Sequence, residues 1–201
     1  MNLNIGSGFV RGSRFGAGTG WTNVDYGHEP DKHEWQDAEY LKFDITETWP
    51  IPRDSVDCIF ASHVLEHVVY EKQRKLAEEM FRVLKPGAPV RIICPDPRIF
   101  VENWRAKNMN FVLDCYGKEN WDRNGYEGNP NKAFTDMFFS DNYDHVLAPG
   151  IDMVAVMLIR AGFSKVTEMR YTNTEFPQFF GPYDATGDNR PVMSWYLEAV
   201  K

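Results

Sequence analysis

Two short apolar runs flank an amphipathic helix between residues 56 and 94 of the chain. The first run, Val56 to Ala61, has the apolar character of a strand that is buried on both faces. From Val69 to Leu84, apolar residues recur at three- and four-residue spacing, which predicts a helix. Lys85-Pro86-Gly87 ends that helix before a second strand at Pro89 to Cys94. A strand, a helix and a strand in this order indicate an α/β protein with a mostly parallel sheet.

The same alternation continues on both sides of this unit. Further strands are predicted at residues 3–5, 21–24, 40–43, 166–170 and 194–200, and a second helix at about residues 149–160. Residues 9–20 are glycine-rich, and residues 27–39 are polar, so both segments are predicted to be loops or, in the second, one weak helical turn. Ligands of such sheets bind beyond the carboxyl ends of the strands. The sequence therefore directs attention to the loops after Ile5, Val24, Phe43, Phe60 and Ile93.

Length, charge and cysteine usage limit the classes of protein that fit. The 201 residues predict a single domain, and a formal net charge of −7 disfavours nucleic acid as a partner. The three cysteines form no C-x-x-C pair, which disfavours a disulfide framework and a zinc ribbon and fits a reducing cytoplasm. No signal-peptide pattern or long apolar run is present, so a cytoplasmic protein without membrane contact is expected.

Glycines and one carboxylate follow the first two predicted strands. Gly6-Ser7-Gly8 allows a sharp turn close to a ligand. A full dinucleotide fingerprint is missing, because Arg11 stands where its third glycine belongs. Asp25 lies 19 residues beyond Gly6, the spacing at which a carboxylate accepts hydrogen bonds from ribose hydroxyls, although a solvated turn position is the alternative.

The loops after the third and fourth strands carry further polar groups. Asp44-Ile45 offers a carboxylate and an apolar contact, which suit the amino group and the face of an adenine. After the fourth strand, residues 62–67 contain H-x-x-E-H, a pattern that inverted zinc proteases also show. In those enzymes both histidines lie within a helix, whereas here the motif begins directly at the end of a strand. No metal ligand is therefore assigned, and zinc hydrolysis is kept only as an alternative.

Several segments together resemble the class I S-adenosylmethionine-dependent methyltransferases, and more narrowly the small type 11 and predicted methyltransferases. The segments are LNIGSG, NVDYG, LKFDITETWPIPRDSVDCIFASHVLEHV and FRVLKPGAPVRIICPDP, with LIRAGFSKV and DNRPVMSWYLEAVK near the end of the chain. The resemblance covers residues 1–98 and 150–201. It implies a Rossmann-like, doubly wound, mostly parallel sheet of seven strands in the order 3-2-1-4-5-7-6, with strand 7 antiparallel.

The resemblance also implies S-adenosyl-L-methionine as cofactor and S-adenosyl-L-homocysteine as product. Matched one by one, the glycine loop lies beneath the methionine and ribose, Asp25 clamps the ribose, the third-strand residues contact adenine, and the residues after strand 4 line the methionine side. The cofactor-binding residues implied are Gly6, Ser7, Gly8, Asp25, Tyr26, Asp44, Ile45, Ser62 and His63. The chain departs from the family at Asn4, where an acidic residue is usual, and in its longer loop at residues 9–20.

The acceptor is predicted to be a small or sugar-like molecule that receives the methyl group on oxygen or nitrogen. Transfer from a sulfonium mainly requires alignment, and a hydroxyl acceptor also benefits from a general base. Candidates for that base are His67, His145 and Asp96, each with a structural or surface role as the alternative. The other functions that stay open are a non-catalytic cofactor-binding regulator or degenerate paralogue and, less favoured, a nucleic-acid methyltransferase.

Aromatic residues concentrate in two segments on the acceptor side of the predicted single domain, at about residues 99–148 and 171–191. The chain has 14 Phe, 9 Tyr and 6 Trp, more than a core of this size needs. The two segments are predicted to form either a satellite core beneath long loops or a lid with an aromatic-lined acceptor pocket. The sequence does not predict an oligomeric state.

Overall fold

A seven-stranded sheet forms the centre of the molecule, in a computed structural model that describes residues 1–7, 20–26, 39–126, 129–139, 145–181 and 192–201. Its strands are β1 (Asn2–Ile5), β2 (Trp21–Asp25), β3 (Glu39–Lys42), β4 (Cys58–Ser62), β5 (Pro89–Pro95), β6 (Ser164–Met169) and β7 (Ser194–Val200). Their order is β3-β2-β1-β4-β5-β7-β6, and β7 runs antiparallel to both of its neighbours. The predicted fold class is confirmed, including the antiparallel last strand.

Two of the helices confirm predictions from apolar spacing. They are α1 (Tyr70–Val83) and α5 (Ile151–Ala161), which pack on the same face of the sheet and contribute to its main core. Helix α5 ends at Gly162, whose φ of 111° is a backbone conformation that L side chains rarely adopt. A Cβ there would also lie 2.9 Å from the ring of Phe81, so both conformation and space call for glycine.

Three helices on the acceptor side were not predicted, namely α2 (Pro97–Arg105), α3 (Met109–Asn124) and α4 (Pro130–Phe139). Gly117 interrupts α3 with a φ of 73°, so the chain there carries no continuous helical repeat of apolar residues. The start of α2 did have a sequence signal. Asp96 caps the helix by accepting a hydrogen bond from the Arg98 amide (2.9 Å), and proline follows at the first helical position.

The opposite face of the sheet is covered by the segment at residues 171–181. Phe180 is fully buried there and lies against Phe60, with 6.3 Å between the ring centroids. Tyr171 packs on Tyr196 of β7 in the same cluster. For this segment, the described aromatic residues therefore contribute to the core over the sheet, and Tyr183 lies outside the described residues.

A buried ion pair joins that segment to the centre of the sheet. Arg91 of β5 and Glu198 of β7 are 0% and 2% exposed, and a guanidinium nitrogen donates to the carboxylate at 2.5 Å. Glu198 also accepts hydrogen bonds from the Thr174 hydroxyl and the Glu175 amide, while Arg91 donates to the carbonyl of Asn173. Arg91 lies inside a strand that was predicted from its apolar neighbours, and nothing in the local sequence indicated this pair.

Helices α2 to α4 build a second, smaller apolar cluster. Its buried members include Phe100, Phe111, Tyr126 and Phe134, and Phe111 stacks on Phe134 with 6.5 Å between the ring centroids. This matches a satellite core, one of the two alternatives for the aromatic residues of this segment. Across the described part of the chain, no helix combines the length and the hydropathy that crossing a membrane requires.

Candidate functional site

Strand register brings the predicted cofactor residues to one edge of the sheet. Ile5 of β1 is aligned with Val24 of β2 on one side and with Ala61 of β4 on the other. The residues that follow these positions are Gly6, Asp25 and Ser62, so all three leave the sheet at the carboxyl ends of neighbouring parallel strands. This is the edge at which ligands of such sheets bind.

Gly6 turns the chain sharply away from β1. Its φ is +61°, and the Ser7 amide then donates back to the carbonyl of Val24 at 3.1 Å. A Cβ on Gly6 would lie only 2.6 Å from a methyl carbon of Val64, so the turn packs directly against the residue that follows His63. The sequence predicted the turn but not Val64 as its support. Gly8 lies outside the described residues.

Asp25 ends β2 in a half-buried position beside the glycine turn. Its carbonyl accepts a hydrogen bond from the hydroxyl of Tyr40 at 3.0 Å, which ties β2 to the neighbouring strand. Tyr26 follows with 66% of its surface exposed, so its ring is accessible at this edge. A carboxylate and an accessible ring beside a glycine turn suit a hydroxylated ligand.

The carboxylate of Asp44 is held by hydrogen bonds within its own turn. One of its carboxylate oxygens accepts from both the amide and the hydroxyl of Thr46, at 2.8 and 2.7 Å. Partial burial acts to raise the pKa of Asp44, but the two hydrogen bonds and nearby Lys72 together lower it, so the group is ionised at neutral pH. Ile45 packs partly against the main core, and its carbonyl accepts from the Trp49 indole (2.8 Å).

Ser62 and His63 form the turn after β4. His63 has a φ of 54°, unusual for a residue with a side chain, and its amide donates to the Ile93 carbonyl at 2.8 Å. Its Nε2 lies 3.1 Å from the Ser194 hydroxyl, and its Nδ1 lies 3.2 Å from a carboxylate oxygen of Glu66. Both ring nitrogens are therefore directed at neighbours in the protein.

Glu66 is a buried carboxylate at this edge that was not predicted as a site residue from the sequence. It is only 1% exposed, in the short 3-10 turn at Leu65–His67. Burial acts to raise its pKa, but the approach of His63 and the charge of His67 lower it, so the carboxylate is negative. The H-x-x-E-H pattern contained a signal, since it places histidines three residues before and one residue after the glutamate, and a buried carboxylate needs a partner. Ser194, far away in the sequence, gave no such signal.

The structure brings together two of the three predicted catalytic residues. The imidazole rings of His67 and His145 lie edge to face, with 4.8 Å between their centroids. The amides of Val146 and Leu147 both donate to the Glu66 carbonyl, at 2.8 and 3.2 Å, and so fasten the segment after His145 to the 3-10 turn. His67 is exposed and His145 half-buried, so this pair is accessible from solvent.

The side-chain hydrogen bonds of Asp96 are made with helix α2 and do not join it to the histidine pair. It is 4% exposed, caps helix α2, and accepts three hydrogen bonds at 2.8 to 3.2 Å from the guanidinium of Arg98. These contacts supply a structural role for the residue. Its role as a catalytic base stays a prediction.

The two cysteines in strands β4 and β5 offer no nucleophile at this edge. Cys58 and Cys94 lie within β4 and β5 and are fully buried. Burial raises the pKa of both thiols, so they stay protonated at neutral pH.

Comparison with known proteins agrees with this geometry. Residues 3–92 match the family model described as "Methyltransferase domain", which is just under half of the chain. No curated protein matches. That matched part contains β1 to β4, helix α1 and most of β5.

Solved structures share the fold at low sequence identity. A SAM-dependent methyltransferase from Archaeoglobus fulgidus is 14% identical with a TM-score of 0.59, over 100% of this chain and 85% of that one. One from Mesorhizobium loti is 16% identical with a TM-score of 0.51, over 100% and 90%. Phosphoethanolamine N-methyltransferase 2 from Haemonchus contortus, in complex with S-adenosyl-L-methionine, is 17% identical with a TM-score of 0.57, over 100% of this chain and 48% of that one.

The sheet order is that of the class I methyltransferase fold, and the glycine turn and Asp25 lie at its ligand-binding edge. Residues 3–92 accordingly match a methyltransferase-domain family, and the whole chain has the fold of S-adenosylmethionine-dependent methyltransferases, as the matching segments predicted. The described residues fit that cofactor. At Gly6 there is no side chain that would block the approach of a ligand to the turn. The carboxylates of Asp25 and Asp44 would accept hydrogen bonds from hydroxyl and amino groups of the cofactor.

Proposed function

We propose that the chain transfers a methyl group to an oxygen or nitrogen atom of a small or sugar-like acceptor. The observation that supports this most is the alignment of Gly6, Asp25 and Ser62 at one sheet edge, next to a pair of accessible imidazoles. In this proposal, residues 1–201 form one methyltransferase domain, and the acceptor contacts come from about residues 99–148 and 171–191.

Each predicted cofactor residue has a distinct role in the proposal. The Asp25 carboxylate accepts from the ribose hydroxyls, beside the exposed ring of Tyr26. Asp44 and Ile45 contact the adenine, and Ser62 and His63 line the methionine side with Gly6, Ser7 and Gly8. When bound, S-adenosylmethionine supplies an electrophilic methyl group on a positively charged sulfur.

The acceptor side needs mainly orientation and a route for one proton. Holding an acceptor in line with the methyl group contributes several kcal/mol of the rate enhancement, about 7–11 in the best-oriented intramolecular cases. For a hydroxyl acceptor, His67 and His145 bring imidazole nitrogens to the accessible side of the 3-10 turn.

The acidic net charge supports a neutral or cationic acceptor over a polyanion and gives no support to nucleic acid. The buried thiols of Cys58 and Cys94 support a cytoplasmic location.

Calorimetric titration with S-adenosylmethionine tests the cofactor half of the proposal. Asp25→Asn is expected to weaken binding by about 10- to 100-fold, because a hydrogen bond to a charged group contributes about 1.5–3 kcal/mol. Asp57→Asn is the matched control, since Asp57 precedes β4 at the opposite edge of the sheet and pairs with the terminal amino group and Lys85. Equal affinities for the wild type and both variants would contradict the assignment of Asp25.

A product assay tests turnover. S-adenosylhomocysteine formation is measured with a panel of small hydroxyl and amine acceptors, with duplex and single-stranded nucleic acid as the competing class. Turnover of a small acceptor supports the proposal. Tight cofactor binding with no turnover of any acceptor would instead support a non-catalytic regulator or degenerate paralogue.

A further inference from the structure

The 3-10 turn and the segment after α4 bring one carboxylate and two imidazoles together. A carboxylate oxygen of Glu66 and one ring nitrogen each of His67 and His145 all lie within 4.8 Å of one another. Two of these residues belong to the H-x-x-E-H motif, and the third comes from a distant part of the chain. His63, the first histidine of the motif, lies between Ser194 and Glu66, with Nε2 3.1 Å from the Ser194 hydroxyl and Nδ1 3.2 Å from a Glu66 carboxylate oxygen.

The buried Glu66 carboxylate gives an independent reason to expect a cation here. Its two oxygens are inaccessible to solvent, and across the described residues neither receives an aligned hydrogen bond. The Nδ1 atom of His63 lies 3.2 Å from one of these oxygens without the alignment of a hydrogen bond. A carboxylate taken out of water needs hydrogen bonds or a paired charge, and a metal ion bound to its oxygens would supply that charge.

We propose that Glu66, His67 and His145 bind a divalent first-row transition-metal ion. Two imidazole nitrogens and one carboxylate oxygen are the ligand set of open zinc and non-haem iron sites, whereas magnesium and calcium favour oxygen ligands alone. Ligands about 2.1 Å from an ion lie roughly 3–3.5 Å apart in a tetrahedral site, so closure from 4.8 Å needs side-chain movement of about 1 Å. The exposed ring of His67 can make that movement.

The surroundings of the cluster place the ion beside the acceptor region. A small cavity adjoins it, and its lining includes Glu66 and His145 together with Pro97, Phe100 and Phe138 of helices α2 and α4. Three protein ligands leave positions open for an oxygen atom of an acceptor. The site thus selects acceptors with a hydroxyl or a similar oxygen donor, and it changes His67 and His145 from proton acceptors into ligands.

This role in selecting the acceptor rests on the proposed methyl transfer, but binding of the ion does not. An ion here lowers the pKa of a coordinated hydroxyl, whose proton passes to solvent. The oxygen then bonds to the methyl carbon, and the sulfur keeps the electron pair of the broken carbon–sulfur bond. No oxidant or reductant takes part.

Titration of the full chain with Co²⁺ tests the site without any methyl acceptor. We expect one ion per chain and a visible d–d absorption band from mixed nitrogen and oxygen ligands. His145→Gln and Glu66→Gln should each weaken Co²⁺ binding by about tenfold to 100-fold or more. The double variant H28Q/H33Q removes two other histidines of the chain and is the matched control, with binding expected to be unchanged.

Circular dichroism confirms that each variant is folded, and His145→Gln decides the result if Glu66→Gln fails to fold. Absence of the band in the wild type, unchanged binding in His145→Gln, or loss of binding in the control would each overturn the proposal. Acetohydroxamate, an oxygen-donor probe, should shift the band, and an unshifted band would overturn the role in acceptor binding. S-adenosylmethionine titration of the same samples separates failure of the ion site from failure of the cofactor site.

Discussion

The cofactor half and the acceptor side of this molecule are stabilised in different ways. The cofactor half is a continuous parallel sheet whose strands, turns and helix α1 share one large core. The acceptor side holds three helices around a separate, small aromatic cluster, and a strap at residues 171–181 that is fastened to the sheet by a buried ion pair. The cofactor edge can therefore be built from short sequence motifs, whereas the acceptor side depends on distant contacts.

The largest effect is expected from breaking the ion pair that fastens the strap. Arg91→Met leaves the buried Glu198 carboxylate without its cation and should lower the free energy of unfolding by about 3–5 kcal/mol. Urea unfolding measures the loss, and the double variant R91M/E198L should recover part of it. Lys165→Met is the control, because it breaks an exposed pair with Glu175 that contributes at most about 1 kcal/mol. A similar, small loss in both variants would show that the strap does not depend on the buried pair.

A cavity created by mutation in the small aromatic cluster tests whether the acceptor side can be destabilised without affecting the cofactor half. Phe134→Ala should cost about 3 kcal/mol, because Phe134 is 3% exposed and stacks on Phe111. At a temperature where the variant is folded, its affinity for S-adenosylmethionine should equal that of the wild type. Leu76→Ala, in the main core, is the counterpart that is expected to lower stability and cofactor affinity together. Loss of cofactor binding in Phe134→Ala would mean that the regions are one unit.

The glycine turn gives the next effect in size. Gly6→Ala combines a positive φ, which costs about 1–2 kcal/mol, with a 2.6 Å contact to Val64. We expect about 2 kcal/mol of lost stability and weaker cofactor binding, measured by urea unfolding and calorimetry. Gly87→Ala has a comparable φ of +80° and open space around its Cβ, so the difference between the variants isolates the contact. G6A/V64A should restore part of the loss, and its failure to do so would contradict the packing argument.

The smallest effect concerns how helix α1 is joined to the loop after β3. Glu79 accepts from the Trp49 amide and from Arg82, and burial, which acts to raise its pKa, is outweighed by these bonds, so the pKa is lowered. A lowered folded pKa contributes stability above the unfolded value near 4.5, and that stability is lost as pH falls through the folded pKa. Glu79→Gln should cost about 1–2 kcal/mol at neutral pH and progressively less in acid. Urea midpoints across pH measure this, and a difference independent of pH would contradict it.

The same contrast explains what the sequence could predict. The Gly6 turn, helix α1 and helix α5 follow from local apolar spacing and turn residues, whereas the strand order was implied by the family resemblance. Asp25 and Asp44 could be located because each follows a short strand. The meeting of His67 with His145 could not, because it depends on two backbone amides that donate to the Glu66 carbonyl. Helix α3 escaped prediction because Gly117 divides it.

The position of β7 in the chain also has a consequence for synthesis. All seven residues of β5 pair with β7, and that partner lies about one hundred residues further along the chain. A nascent polypeptide that ends before residue 194 therefore exposes an unpaired apolar strand, which is the kind of edge that nucleates aggregation. Because β7 is synthesised after β5, its pairing with β5 is the event that covers this exposed strand edge.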